Sequence, residues 1–200
     1  MERRDMYENA SHSPNTVTPV NACAACGDWG TPLCRRCRLG LVPGIPRRFE
    51  GGLLVMPGLR HEGPARRLVH RLKYQGDPAA VRVLAAAIAP LLPPDTTALV
   101  PVPRAQLRSW RYGVDPALEL ARALAGPGLA VVRALRAEWW WPGHTGRNVE
   151  GRRPPRFHPT GAAPSGSVLV DDVVTTGATF RAASRALDGT IGRAVSATGA

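Results

Sequence analysis

Residues 167–180 read SVLVDDVVTTGATF: an apolar run, two adjacent aspartates, a Thr-Thr-Gly-Ala-Thr turn and the start of a helical pattern. A buried strand that runs into a tight turn and a helix N-terminus belongs to a parallel α/β sheet, where ligands bind beyond the carboxyl ends of strands. Asp171 and Asp172 fall at such an end. Neighbouring carboxylates are strong acceptors and suit two adjacent hydroxyls, as on a ribose. The turn Thr175-Thr176-Gly177-Ala178-Thr179 adds hydroxyl donors and a glycine for close backbone approach. It leads into a helix N-terminus, whose free N–H groups and dipole favour a phosphate. Acids for a diol and a nest for a phosphate, four to eight residues apart, describe a ribose 5-phosphate site. The plainer alternative is an aspartate that caps a helix beside a threonine turn. The ordered run of strand, acid pair, turn and helix argues against it.

The rest of the chain supports that fold class. Strands are expected at Gly52–Pro57, Thr97–Pro103, Leu129–Leu135, residues 167–171 and Arg193–Thr198. Helices are expected at Gly63–Tyr74, from Pro78, from Pro116 and from about Gly177 to Leu187. Asp77-Pro78 and Asp115-Pro116 each pair a capping aspartate with a proline suited to the first helical turn. Strands alternate with helices from residue 78 onward, which predicts an α/β fold with a mostly parallel sheet flanked by helices. Residues 1–20 are polar and aperiodic and read as a disordered arm. Residues 21–46 form a small cysteine-bearing module, and residues 47–200 form the α/β domain.

All four cysteines fall within that module, as Cys23-Ala-Ala-Cys26 and Cys34-Arg-Arg-Cys37. Two CxxC pairs so close together match a tetrahedral thiolate site for a structural zinc ion. A single pair would fit a redox motif as well. The N-terminal stretch lacks the apolar core of a signal peptide, and no apolar run approaches the roughly 18 residues of a membrane span. This gives the expectation of a cytoplasmic protein with no membrane insertion, where disulfides between the cysteines are not expected.

The formal net charge is +11, which fits an anionic partner such as a nucleotide phosphate, pyrophosphate or nucleic acid. Arginine used as a solvated surface explains the same number. Lys73 is the single lysine among 26 basic residues. Either a compact point charge is needed there, or it is a solvated cation at a helix end.

The run 167–180 resembles the signature of type I phosphoribosyltransferases, which bind phosphoribosyl pyrophosphate (PRPP). The resemblance is closer to the ComF-like competence proteins, which carry a four-cysteine zinc module ahead of that domain. Cys23, Cys26, Cys34 and Cys37 match the module. Leu72-Lys73-Tyr74-Gln75-Gly76-Asp77, Val100-Pro101-Val102-Pro103, Arg111 with Asp115, and Arg147-Asn148-Val149-Glu150-Gly151 resemble further family elements. The resemblance implies that Asp171 and Asp172 hold the ribose hydroxyls as the catalytic acids. It implies that Val173, Thr175, Thr176, Gly177, Ala178 and Thr179 frame the 5-phosphate. Lys73, Arg104 and Arg111 would then meet the pyrophosphate, with Mg²⁺ bridging pyrophosphate and ribose oxygens. The implied function is phosphoribosyl transfer with release of pyrophosphate, associated with competence and DNA uptake. The alternative is a non-catalytic PRPP sensor that handles single-stranded DNA. No residue marks the acceptor.

Trp139-Trp140-Trp141 cannot all share one face of a helix or strand. They either pin a long loop or make a protein contact, or else they stack on single-stranded bases while Arg147 and its neighbouring arginines track phosphates.

Overall fold

The computed structural model describes residues 21–104, 113–138 and 155–200. The arm 1–20, Arg111, Trp139 to Trp141 and Arg147 lie outside the described residues.

The chain enters through a short helix, α1 (Arg35–Leu39), and a two-residue strand, β1 (Arg47–Arg48). Then come β2 (Leu54–Arg60), α2 (Gly63–Gln75), α3 (Pro78–Ile88), β3 (Ala98–Pro101), α4 (Pro116–Leu124) and β4 (Ala130–Val131). A hairpin of β5 (Leu135–Ala137) and β6 (Phe157–Pro159) precedes β7 (Ser167–Val174), α5 (Ala178–Ala186) and β8 (Arg193–Gly199). The main sheet has six strands in the order β1-β2-β8-β7-β3-β4, and every pairing but β1 with β2 is parallel. The expected α/β class with a mostly parallel sheet flanked by helices is what the chain adopts. Among the described residues no helix is long and apolar enough to cross a membrane.

The helix starts follow from their caps. The Asp77 carboxylate accepts the Ala79 N–H at 2.9 Å, and Asp115 accepts the Leu118 N–H at 3.4 Å. Each is followed by a proline in the first turn, where the missing N–H costs nothing. Helix α2 stops because Gly76 turns left-handed at φ 59°, its N–H returning to the Leu72 carbonyl.

Two apolar layers cover the sheet. On one face, Leu68, Val69 and Leu72 of α2, Leu84 and Ile88 of α3 and Leu120 of α4 pack on Val168, Val170 and Val195. Cys23, Ala24, Ala25 and Cys37 belong to this same cluster, so the cysteine segment and the helical layer share buried surface. On the other face, Phe180 and Ala183 of α5 pack on Val55, Val100, Leu169 and Ala194, with Phe49 at the margin.

Three expected boundaries shift. Strand β7 continues through the acids to Val174, because β8 stays paired alongside it up to Val174 with Gly199. The apolar run Leu129–Leu135 is not one strand: β4 ends at Val131 at the sheet edge, and Leu135 starts a separate hairpin with β6. The expected Gly52–Pro57 strand begins at Leu54 and reaches Arg60.

Candidate functional site

Strands β3 and β7 are neighbours, yet the chain leaves them in opposite directions. From β3 it passes through α4 to β4 on one side; from β7 it passes through α5 to β8 on the other. Helices α4 and α5 cover opposite faces of the sheet. The carboxyl ends of β3 and β7 are therefore a topological switch point, the place where an open α/β sheet leaves a crevice. The β3–β7 ladder ends with Pro101 opposite Val170, followed by a bond from the Val102 N–H to the Val170 carbonyl at 2.9 Å. Asp171 and Asp172 are the next residues of β7. They are held by β8 on one side and open to the crevice on the other.

A cavity of about 380 Å³ occupies that crevice. Lys73, Arg104, Asp115, Asp171, Asp172 and Thr179 line it, and Glu138, Arg156 and Phe157 close it from the β5–β6 side. Lys73 reaches in from the last turn of α2, with its Nζ 3.3 Å from Asp172 Oδ2. Arg104 Nη1 donates to the Lys73 carbonyl at 2.9 Å, and its guanidinium lies 5.8 Å from the centre of the Tyr74 ring. One arginine thus ties the segment after β3 to the end of α2. Burial, and then the neighbouring Asp172 charge, pushes the Asp171 carboxyl well above the usual carboxylate range. The Asp172 N–H, donating to Asp171 Oδ1 at 2.8 Å, and Lys73 pull the other way. Burial likewise raises Asp115, against the N–H donors of the α4 start.

Of the residues singled out in the sequence, Lys73, Arg104, Asp171, Asp172 and Thr179 come together around the cavity. Val173 is half-buried and packs toward the helical layer of α2 to α4. Thr175 and Thr176 are exposed at the turn, and Ala178 is half-buried where α5 begins. Gly177 is buried and adopts φ 71°. The space a side chain would need there is taken: a Cβ would stand 2.5 Å from Cε1 of Phe49. Gly177→Ala therefore meets both a left-handed backbone and a ring it cannot pass. It is expected to destabilise by about 1–3 kcal/mol, lowering Tm by roughly 2–10 °C. An unchanged melting curve would mean that Phe49 does not sit on the turn.

His61 is a site neighbour that spacing did not reveal. Its Nδ1 lies 2.8 Å from Thr198 Oγ1, and that hydroxyl reaches the Asp172 carbonyl at 3.4 Å. Burial, then Lys73 and Arg66, lowers the His61 pKa, while Asp172 opposes the shift.

The four cysteines form a second centre. One ligand atom from each of Cys23, Cys26, Cys34 and Cys37 lies within 4.8 Å of all the others, a set that could hold a metal ion. The Cys23 carbonyl accepts the Gly27 N–H at 2.8 Å, and the Cys34 carbonyl accepts the Arg38 N–H at 2.9 Å, which folds each pair into a tight knuckle. Arg67 of α2 donates from Nε to the Ala25 carbonyl at 2.9 Å and anchors the first knuckle to the helix.

No protein-family model matches this chain, and a search of curated proteins finds none similar to it.

Proposed function

We propose that this chain is a ComF-like protein of the type I phosphoribosyltransferase kind. In this reading it binds PRPP with Mg²⁺ in the crevice between β3 and β7 and transfers the phosphoribosyl group to an acceptor, releasing pyrophosphate. The observation that carries the reading is a juxtaposition: the acid pair, Lys73 and Arg104 line one cavity at the switch point, and the Thr/Gly turn leaves it at Thr179.

Asp171 and Asp172 accept hydrogen bonds from the two ribose hydroxyls. The turn Thr175 to Thr179 and the start of α5 receive the 5-phosphate through backbone N–H groups and hydroxyls. Lys73 stands between Asp172 and the Arg104 segment, where ribose meets pyrophosphate. Lys73, Arg104 and Arg111 neutralise the leaving group. The carboxylate oxygens and the phosphates of PRPP are hard donors that fit Mg²⁺, which when bound would screen the pyrophosphate charge. The C1–oxygen bond breaks with its electron pair on pyrophosphate, and a lone pair of the acceptor closes on C1. The chain's own contribution is positioning and charge stabilisation of that centre.

Zinc is the ion we propose for the four cysteines. Zn–S bonds of about 2.3 Å in a tetrahedron put the sulfurs about 3.7 Å apart, and Cys26 Sγ and Cys34 Sγ are separated by 3.7 Å. Four thiolates leave no open position, so the role is structural. Single-stranded DNA is the further partner proposed, on the net charge of +11 and the Trp139 to Trp141 run with Arg147.

The test is incubation with PRPP, Mg²⁺ and candidate acceptors, with pyrophosphate as the readout. Release above that of a variant carrying both Asp171→Asn and Asp172→Asn is expected. PRPP binding without release for any acceptor would replace transfer by the sensor reading; absence of PRPP binding would end both. Lys73→Arg is expected to weaken PRPP about tenfold, because a planar fork cannot take the place of a point charge beside Asp172. Unchanged affinity by calorimetry would return Lys73 to a surface cation.

A further inference from the structure

The threonine turn is gripped from outside by three residues that the reading above does not use. Arg47, in β1, donates from Nη1 to the Thr175 carbonyl at 2.5 Å and to the Ala200 carbonyl at 3.1 Å. Arg181, in the first turns of α5, donates from Nη1 to the Thr176 carbonyl at 3.2 Å. Both also contact Phe49, with the two guanidinium carbons 5.2 and 5.6 Å from its ring centre. The ring fills the space above Gly177, closer than any side chain at that position would permit.

In a trans peptide the carbonyl of one residue and the N–H of the next point in opposite directions. The Arg47 bond to the Thr175 carbonyl therefore turns the Thr176 N–H away from Arg47, and the Arg181 bond to the Thr176 carbonyl turns the Gly177 N–H away from Arg181. Neither of those N–H groups donates to a protein acceptor among the described residues. The turn thus carries two backbone donors with unused capacity, directly before the first turn of α5, where N–H groups have no intrahelical partner and Ala178 donates to Thr176 Oγ1 at 3.4 Å.

We propose that Arg47, Phe49 and Arg181 are positioning residues: a clamp that fixes the turn with its donors aimed at a phosphate monoester. This rests on the reading of the crevice as a PRPP site. The clamp acts on the backbone and acts selectively. It belongs to the phosphate end of the ligand and is remote in function from the Lys73 and Arg104 end. The cation–π contacts let a neutral residue, Phe49, set where two charges sit. Gly177 is then a glycine for two reasons: its left-handed φ and the seat it leaves for the ring.

Calorimetry with ribose 5-phosphate and, separately, with pyrophosphate and Mg²⁺ tests the clamp in the full-length protein. Arg47→Ala with Arg181→Ala is expected to raise the Kd for ribose 5-phosphate about tenfold or more, the scale of one lost charge-assisted hydrogen bond. Phe49→Leu keeps every charge and is expected to raise it about threefold or more, roughly the worth of two exposed cation–π contacts. Pyrophosphate affinity should stay within about twofold in all of them, the spread expected when no contact to that ligand is lost. Arg47→Lys keeps the charge but loses the fork, so it should not restore binding. The clamp is overturned if both ligands weaken equally, if Phe49→Leu binds ribose 5-phosphate like the parent, or if Arg47→Lys binds it fully. If the parent binds neither ligand, the PRPP reading falls and takes the clamp with it. If the parent binds both and the variants match it, the clamp alone falls.

Discussion

Asp171→Asn is expected to make the ligand-free protein more stable at neutral pH and, combined with Asp172→Asn, to abolish tight PRPP binding. Burial and the Asp172 charge raise the folded-state pKa of Asp171 well above its value of about 3.9 in an unfolded chain. Between those two values the folded protein keeps a proton that the unfolded chain has lost. The associated stability is fully present below about pH 4 and is lost as pH rises through the folded pKa. Asparagine holds the uncharged form at every pH. The Tm of the variant should therefore exceed the parent's at pH 7 by about 3 °C or more, on a scale of roughly 2–4 °C per kcal/mol. The gap should narrow on acidification. Adding Asp172→Asn removes the second acceptor and deprives Lys73 of its carboxylate partner. Two lost charge-assisted bonds should weaken PRPP at least about a hundredfold. Melting curves from pH 4 to 8 with PRPP titrations check both halves. A Tm for Asp171→Asn below the parent's across that range would show that the ionised carboxylate supports the fold instead.

Cys37→Ser should be the most damaging single change. Cys37 is 1% exposed and shares a buried cluster with Leu68, Val69 and Leu72 of α2. In the proposed zinc site, its replacement would remove one of four donors and put a hydroxyl in place of a thiolate. Metal binding free energy at such a site is folding free energy. A loss of at least about 4 kcal/mol is expected, enough to lower Tm by roughly 10 °C or more. A thiol-competing chelator should do the same to the parent protein. Metal analysis should find one zinc per chain in the parent and none in the variant. A protein that carries no metal and melts at the parent temperature would remove the structural ion from this account.

The features legible in the sequence were those written in short stretches. The Asp77-Pro78 and Asp115-Pro116 helix starts, the βα alternation and the spacing of the cysteines each depend on neighbours within a few residues. The same holds for Asp171 and Asp172, marked by the change from apolar strand to polar turn. Features set by distant partners were not legible. Strand β7 outruns its apolar run because β8 pairs beside it, and nothing in residues 167–174 encodes that partner. Phe49 reaches Gly177 across more than a hundred residues, and Arg47 reaches Thr175 in the same way. No local pattern marks His61, because its partner, Thr198, sits on another strand. The β5–β6 hairpin leaves no pattern in the sequence because each strand has only three residues, too few for a period to register.

The strand order also sets a timetable for folding. β8 lies between β2 and β7, with Leu54 paired to Arg193 and Leu169 to Ala194. The cysteine segment and α2 are close in sequence and can associate as soon as both exist. β2 cannot gain its parallel neighbour until a strand well over a hundred residues later has been made. Contacts of such long sequence separation are slow, since loop closure must precede any gain from pairing. β8 follows β7 after a single helix and can pair with it early, so β2 is the strand that waits, and β8 joins it to the rest of the sheet like a keystone. Refolding should show an early helical phase that chelators abolish and a later phase that completes the sheet.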